Sequence, residues 1–192
     1  VMIIFNILIL GLEGNVGVAA YGVIANISIV VTALYTGLAQ GMQPLISTYY
    51  GLNNKDHIRK IMNYGQFTMI LLSVAMYAVL FIFAPQITGI FNSEGNMVLQ
   101  QIAEVGLKLY FTSNLFVGFN TVVATFFTSV ERALPAHILS LLRGLVLIIS
   151  LAFVMSSFWG MNGIFLCFPV TESVTAILGF FIYFKMIKTF SV

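Results

Sequence analysis

Long unbroken apolar stretches separated by short polar clusters organise this chain. The first stretch covers 1–12 and is followed by a turn cluster of Glu13, Gly14, Asn15 and Gly17. The second covers 18–50, longer than the roughly 20 residues that cross an apolar core, so it must tilt, protrude or bend. Gly37, Gly41 and Pro44 mark the expected bend. A polar loop over 51–60 leads into a helix over 58–83, with Asn53 or Asn54 as its cap, Asp56 in its first turn and Pro85 closing it. The loop Asn92–Asn96, with Ser93 as cap, precedes a helix over 97–130. A tight connection at Glu131–Ala133 leads to a fifth helix over 135–158, with Pro135 in its first turn. Trp159–Asn162 forms the last turn before a helix over 163–184 that carries Pro169. Strands of a membrane barrel would alternate over about ten residues, whereas 67–84 and 145–155 are continuously apolar. The pattern predicts an all-α integral membrane protein, a six-helix transmembrane bundle forming one domain over 1–192. The first stretch is too short to span and begins without Met, so it reads as the second half of a longer helix, and no basic segment of a signal sequence precedes it.

Composition narrows the class further. Of 192 residues, 60% are hydrophobic and 7% charged, with a mean hydropathy of +1.04. A soluble domain needs about 25% charged residues to cover its surface, so this surface meets lipid. The net charge of +2 gives no basis for a nucleic-acid partner. The single Cys167 excludes an internal disulfide and a cysteine metal cluster, and neither His57 nor His137 has a second ligand at metal spacing. With six passes, the loops 51–60 and 131–135 share a side with the C-terminus. Lys55, Arg59, Lys60, Arg132, Arg143, Lys185 and Lys188 fall on or near that side, and Lys108 is the exception. Basic residues gather on the inner side of a membrane, which predicts a multi-pass protein of the plasma membrane with these loops and the C-terminus in the cytoplasm.

Polar residues inside the apolar stretches are costly and therefore informative. Ser28, Thr32, Thr36, Gln40, Gln43 and Ser47 recur at steps of four and three, which places them within an arc of about 120° on one helix face. This face lines either a substrate cavity or a packed interface between helices; Ile29 and Leu34 lie outside it. Ala33, Gly37 and Gly41 form an adjacent small-residue stripe suited to close helix approach. The fourth helix repeats the pattern with Asn114, Gly118, Thr121, Thr125 and Ser129, although hydroxyls there can bond their own backbone. The candidate cavity residues are Thr32, Thr36, Gln40, Gln43, Asn114, Thr121 and Thr125. Lys108 is expected to reach for the outer interface, with a substrate role as the alternative. Glu172, deep in the last helix beside Thr171, Ser173 and Thr175, must be protonated or paired. It is the candidate ion-coupling residue, with a structural hydrogen bond between helices as the alternative.

Several segments resemble the multidrug and toxic compound extrusion (MATE) family. They are Gly17–Gly22, Gly37–Pro44 with Tyr50 and Gly51, Ile90–Glu94 before the fourth helix, Arg143 entering the fifth, and Gly160–Gly163 before the helix with Pro169 and Glu172. Their order and spacing, more than any one motif, carry the likeness. The resemblance implies helices seven to twelve, the first truncated, of a twelve-helix antiporter whose two lobes enclose a cavity and alternate between inward-open and outward-open states. It implies export of organic cations or other xenobiotics in exchange for H⁺ or Na⁺, with the N-terminal lobe and membrane lipid as partners and no cofactor beyond the coupling ion. Some members carry coupling carboxylates on the first and fourth helices of this lobe. Here those helices offer Asn6 and, towards the outer end, Glu104. A coupling carboxylate is then either Glu172 or one in the other lobe.

The alternative of the same superfamily is a flippase for lipid-linked oligosaccharides, which needs more basic residues near the spans than Lys108 and Arg143. An intramembrane enzyme needs a nucleophile with its base, or paired metal ligands; no such motif is present in the spans. A passive anchor needs no polar interior face.

Overall fold

The computed structural model describes the backbone of residues 2–190 and, apart from residues 133 and 187–190, their side chains. The helices are α1 (Met2–Gly51), α2 (Lys55–Ile82), α3 (Ala84–Phe91), α4 (Met97–Tyr110), α5 (Asn114–Ser129), α6 (Ala133–Leu141) and α7 (Leu147–Phe190). A 3-10 turn at Phe111–Ser113 joins α4 to α5, and a π-helical turn at Leu142–Val146 joins α6 to α7. Among the described residues the chain is helical with no strand. Four continuous helical runs are long and apolar enough to cross a membrane: Met2–Gly51, Lys55–Ile82, Met97–Ser129 and Leu134–Met186.

Two of those runs double back. In α1 the backbone leaves helical angles at Gly14, with φ +63° and ψ −155°. Phe5 and Tyr21 would stand about 24 Å apart along a straight helix, yet their ring centroids are 5.6 Å apart. In α7 the break is at Gly160, with φ +56° and ψ −133°. Cys167 and Ile148 would be about 28 Å apart along a straight helix, yet the Cys167 thiol donates to the Ile148 carbonyl at 3.2 Å. Such angles suit a residue without Cβ. The four runs therefore make six passes among the described residues, with reversals inside the glycine clusters that the sequence pattern marked as turns.

The remaining boundaries differ in detail. Asn54 caps α2 by accepting from the His57 amide, and helix begins at Lys55, so the polar loop shrinks to 52–54. Pro85 opens the short helix α3. Asn96, not Ser93, caps α4: it accepts from the amides of Val98 and Leu99, because a side chain directly before the helix reaches its free N–H groups. The expected bend at Gly37, Gly41 and Pro44 does not break the helix, since Gly14 is the one non-helical position inside α1. The side chain of Lys188 lies outside the described residues.

Small residues fix the closest crossings. A Cβ on Gly65 would strike Met42, and one on Gly106 would meet the Phe165 ring with Cζ at 2.5 Å. A Cβ on Gly163 would strike the Met155 carbonyl, locking the α7 hairpin backbone to backbone. The stripe of Gly37 and Gly41 does not share this role: a Cβ at either position meets nothing within 4 Å. That face of α1 is open because the polar side chains beside it are turned towards a cleft. The core behind them is apolar, built on Ile9, Ile24, Tyr35, Met69, Phe127 and Phe165, each almost fully buried. The outer surface carries Phe67 and Ile90 at 68% and 78% exposure, the inverse of a soluble globule.

Candidate functional site

The second limb of α1 presents its polar stripe to a cleft of about 700 Å³. Ser28, Thr32, Thr36, Gln40 and Gln43 line one wall. Their four-residue spacing puts them on one face, and Val31, Tyr35, Met42 and Ile46 on the opposite face are buried in the core. The Thr36 hydroxyl donates to the Thr32 carbonyl at 2.9 Å, while the amides of Gln40 and Gln43 lie on exposed residues. Thr121, Thr125 and Thr128 of α5 line the cleft too. Thr121 donates to the Val117 carbonyl at 2.7 Å and Thr125 to the Thr121 carbonyl at 2.8 Å. The hydroxyl hydrogens are thus directed into the helix, and the oxygen lone pairs are what a ligand meets.

The end of the cleft is aromatic and charged. Tyr110 and Phe168 both line it and stack at 4.6 Å between centroids with planes 3° apart. Beside them is Glu172, whose side chain is 2% exposed. Asn120 Nδ2 donates to Glu172 Oε2 at 2.8 Å and to the Glu172 main-chain carbonyl at 2.9 Å. Arg143 Nε approaches Glu172 Oε1 at 3.5 Å. A carboxylate this deep keeps its charge only with such partners, because low dielectric penalises a lone ion.

Six of the seven residues expected to line a cavity are brought together here, together with Glu172. Asn114 is not among them. It is buried where α5 meets α2, its carbonyl accepting from Ser73 Oγ at 3.0 Å, and its buried Nδ2 has no partner among the described residues. The reason is the neighbouring helix: α5 is unbroken from Asn114 to Ser129, but at its first residue α2 closes over this face through Ser73. Gly118 packs against Ser73, and Ser129 is buried with its carbonyl accepting from Ser47. Ile29 also borders the cleft, so the open face is wider than the polar stripe. Lys108 stands over the Phe81 ring at 5.3 Å from its centroid, away from the cleft.

Two residues of the site were not assigned to it from the sequence. Arg143 counted as a basic residue near the inner boundary, but it follows the start of α6 by ten positions, which is about 15 Å of helix, half-way through an apolar core. It belongs to the cleft and drops out of the orientation count. Intramembrane charges occur in pairs, and an arginine at mid-depth in the helix before Glu172 was the signal available. Asn120 is an amide in an apolar run and carries the same signal, but it lies one position off the stripe through Thr121. Among the described residues no cluster of three metal-ligating side chains occurs.

Comparison with known proteins agrees with this architecture. The multidrug export protein MepA of Staphylococcus saprophyticus is 25% identical over 184 residues, covering 96% of this chain and 40% of the relative. MepA of Staphylococcus aureus is 24% identical over 173 residues, covering 90% of this chain and 38% of the relative. The chain thus spans about 40% of the length of these relatives. An outward-facing structure of a multidrug resistance MATE family transporter superposes with a TM-score of 0.91 at 20% identity, over 99% of this chain and 43% of that one. An inward-facing structure gives 0.91 at 20% identity, over 98% and 43%. A profile of the MatE family matches residues 1–154: the chain belongs to the MatE family, and its fold is that of part of a MATE transporter.

Proposed function

We propose that this chain is the C-terminal six-helix lobe of a secondary active multidrug exporter, and that the cleft is its half of the transport path. The observation that carries the reading is the polar stripe of Thr32, Thr36, Gln40 and Gln43, open to a 700 Å³ cleft in a lobe whose other faces are apolar. The relatives' export of multiple drugs supports the cargo class. An aromatic wall of Tyr110 and Phe168 suits flat, greasy molecules. In this reading a second lobe closes over the stripe, and the two lobes rock about the cargo. The lobe superposes equally well on an outward-facing and an inward-facing transporter, as expected if it moves as one body. A flippase is the weaker reading, because one guanidinium in the cleft is little to hold a pyrophosphate.

Glu172 is the coupling candidate. Bound by Asn120 and approached by Arg143, its carboxylate takes up H⁺ or coordinates Na⁺ arriving from the cleft, which weakens its hold on Arg143. Cysteines at Thr32, Thr36 and Gln40 of the whole transporter should react with water-soluble thiol reagents, and one at Leu34, exposed on the side away from the cleft, should not. Equal reaction at all four sites would mean that the stripe is no water-filled path. Glu172→Gln should abolish gradient-driven export at unchanged membrane abundance; wild-type export in that variant would assign Glu172 a structural role only.

A further inference from the structure

Arg143 and Glu172 are the two charged side chains that line the cleft among the described residues, and the cleft does not present them equally. The Glu172 side chain is 2% exposed and that of Arg143 is 35% exposed. One carboxylate oxygen is taken by Asn120 at 2.8 Å, and the other faces Arg143. A molecule entering the cleft therefore meets the guanidinium before the carboxylate. The ion pair is made through Nε at 3.5 Å, a long contact. A guanidinium carries five N–H donors in a planar fork, so one such contact leaves most of its capacity unused. That fork matches a carboxylate bidentately. Ser140, three residues earlier and also on the cleft, adds a hydroxyl within the same turn, and the stacked Tyr110 and Phe168 supply a flat wall at the same end.

We propose that Arg143 is an anion subsite of the cleft and that the cargo carries a carboxylate on an aromatic body. Such a group joins the guanidinium on the side not taken by Glu172, while the aromatic plane packs against Tyr110 and Phe168. A cargo with a cationic group as well is accommodated by the hydroxyl and amide oxygens of Thr36, Gln40 and Thr125 across the cleft. The inference rests on the cleft being the cargo path, and it narrows that path to one chemistry.

The test is equilibrium binding to the purified whole transporter, read by fluorescence anisotropy, with two xanthylium dyes that differ in one group: a free ring carboxylate in one, its methyl ester in the other. The free acid should bind about tenfold tighter than the ester, the scale of one charge-assisted contact. Arg143→Gln should erase that preference. Glu172→Gln removes the internal competitor for the guanidinium, so it should widen the preference for the acid over the ester, a gain that misfolding cannot mimic. Equal affinity for the two dyes in the unaltered protein, or preference for the ester, overturns the anion subsite and leaves the cleft reading intact. Binding of neither dye overturns both.

Discussion

Glu172 is held by a neutral donor on one oxygen and a cation on the other, and the two contacts carry different consequences. Asn120 supplies the 2.8 Å bond and also holds the Glu172 main-chain carbonyl, so it fixes where the carboxylate stands. Asn120→Leu, close in volume and without the donor, should lower stability by about 1–3 kcal/mol, the cost of leaving a buried acceptor unpaired, read as a lower melting temperature in detergent. Combined with Glu172→Gln the loss should be less than additive, because both changes remove the same bond; strict additivity would show that Asn120 acts elsewhere. Glu172 itself and the stripe from Ser28 to Gln43 were legible in the sequence, since a polar group in an apolar run stands out without knowledge of its surroundings. Arg143 and Asn120 were less legible because their meaning depends on which helix faces which. The same limit applies to Asn114: α5 is unbroken from Asn114 to Ser129, so helical spacing does place it with Thr121 and Thr125, and what the spacing omits is α2, whose Ser73 closes over that first residue.

At the scale of the elements, glycines divide into three kinds that spacing alone does not separate. Gly14 and Gly160 reverse the chain at positive φ, and they lie in clusters of polar and small residues that announce a turn. Gly65, Gly106, Gly118 and Gly163 admit a neighbouring helix. Gly37 and Gly41, the pair with the sequence signature of close approach, admit nothing within 4 Å in this lobe. A G-x-x-x-G spacing states that two helices could approach, and the partner surface decides whether they do. Gly163→Ala should therefore destabilise the α7 hairpin by about 1–3 kcal/mol, the cost of forcing an added methyl into packed structure. Gly37→Ala should shift stability by no more than about 0.5 kcal/mol, as surface changes do. Thermal unfolding of the two variants side by side decides it, and a larger loss for Gly37→Ala would mean that this face is packed after all. The six passes were legible because each apolar stretch ends in a turn cluster. The short helix α3 and the π-helical turn at Leu142–Val146 were not, since neither changes the apolar pattern that surrounds it.

For the whole molecule, the six passes put the connection 52–54, the connection 131–132 and the end of α7 on one side, and the segment 92–96 on the other. With Arg143 assigned to the cleft, Lys55, Arg59, Lys60, Arg132 and Lys185 still gather at the first side, and on that excess of basic residues we propose it as the cytoplasmic side. A membrane-impermeant thiol reagent on intact cells should modify a cysteine replacing Glu94 and spare one replacing Asn53 until the cells are opened; the reverse order would invert the protein in the membrane. The native thiol bears on every such measurement. Cys167, the one cysteine of the sequence, is fully buried with its hydrogen given to the Ile148 carbonyl across the α7 hairpin. An engineered cysteine in this lobe consequently reports without background. Any signal that does arise from position 167 marks molecules whose final two spans have come apart, so a silent thiol serves as a built-in witness to an intact fold.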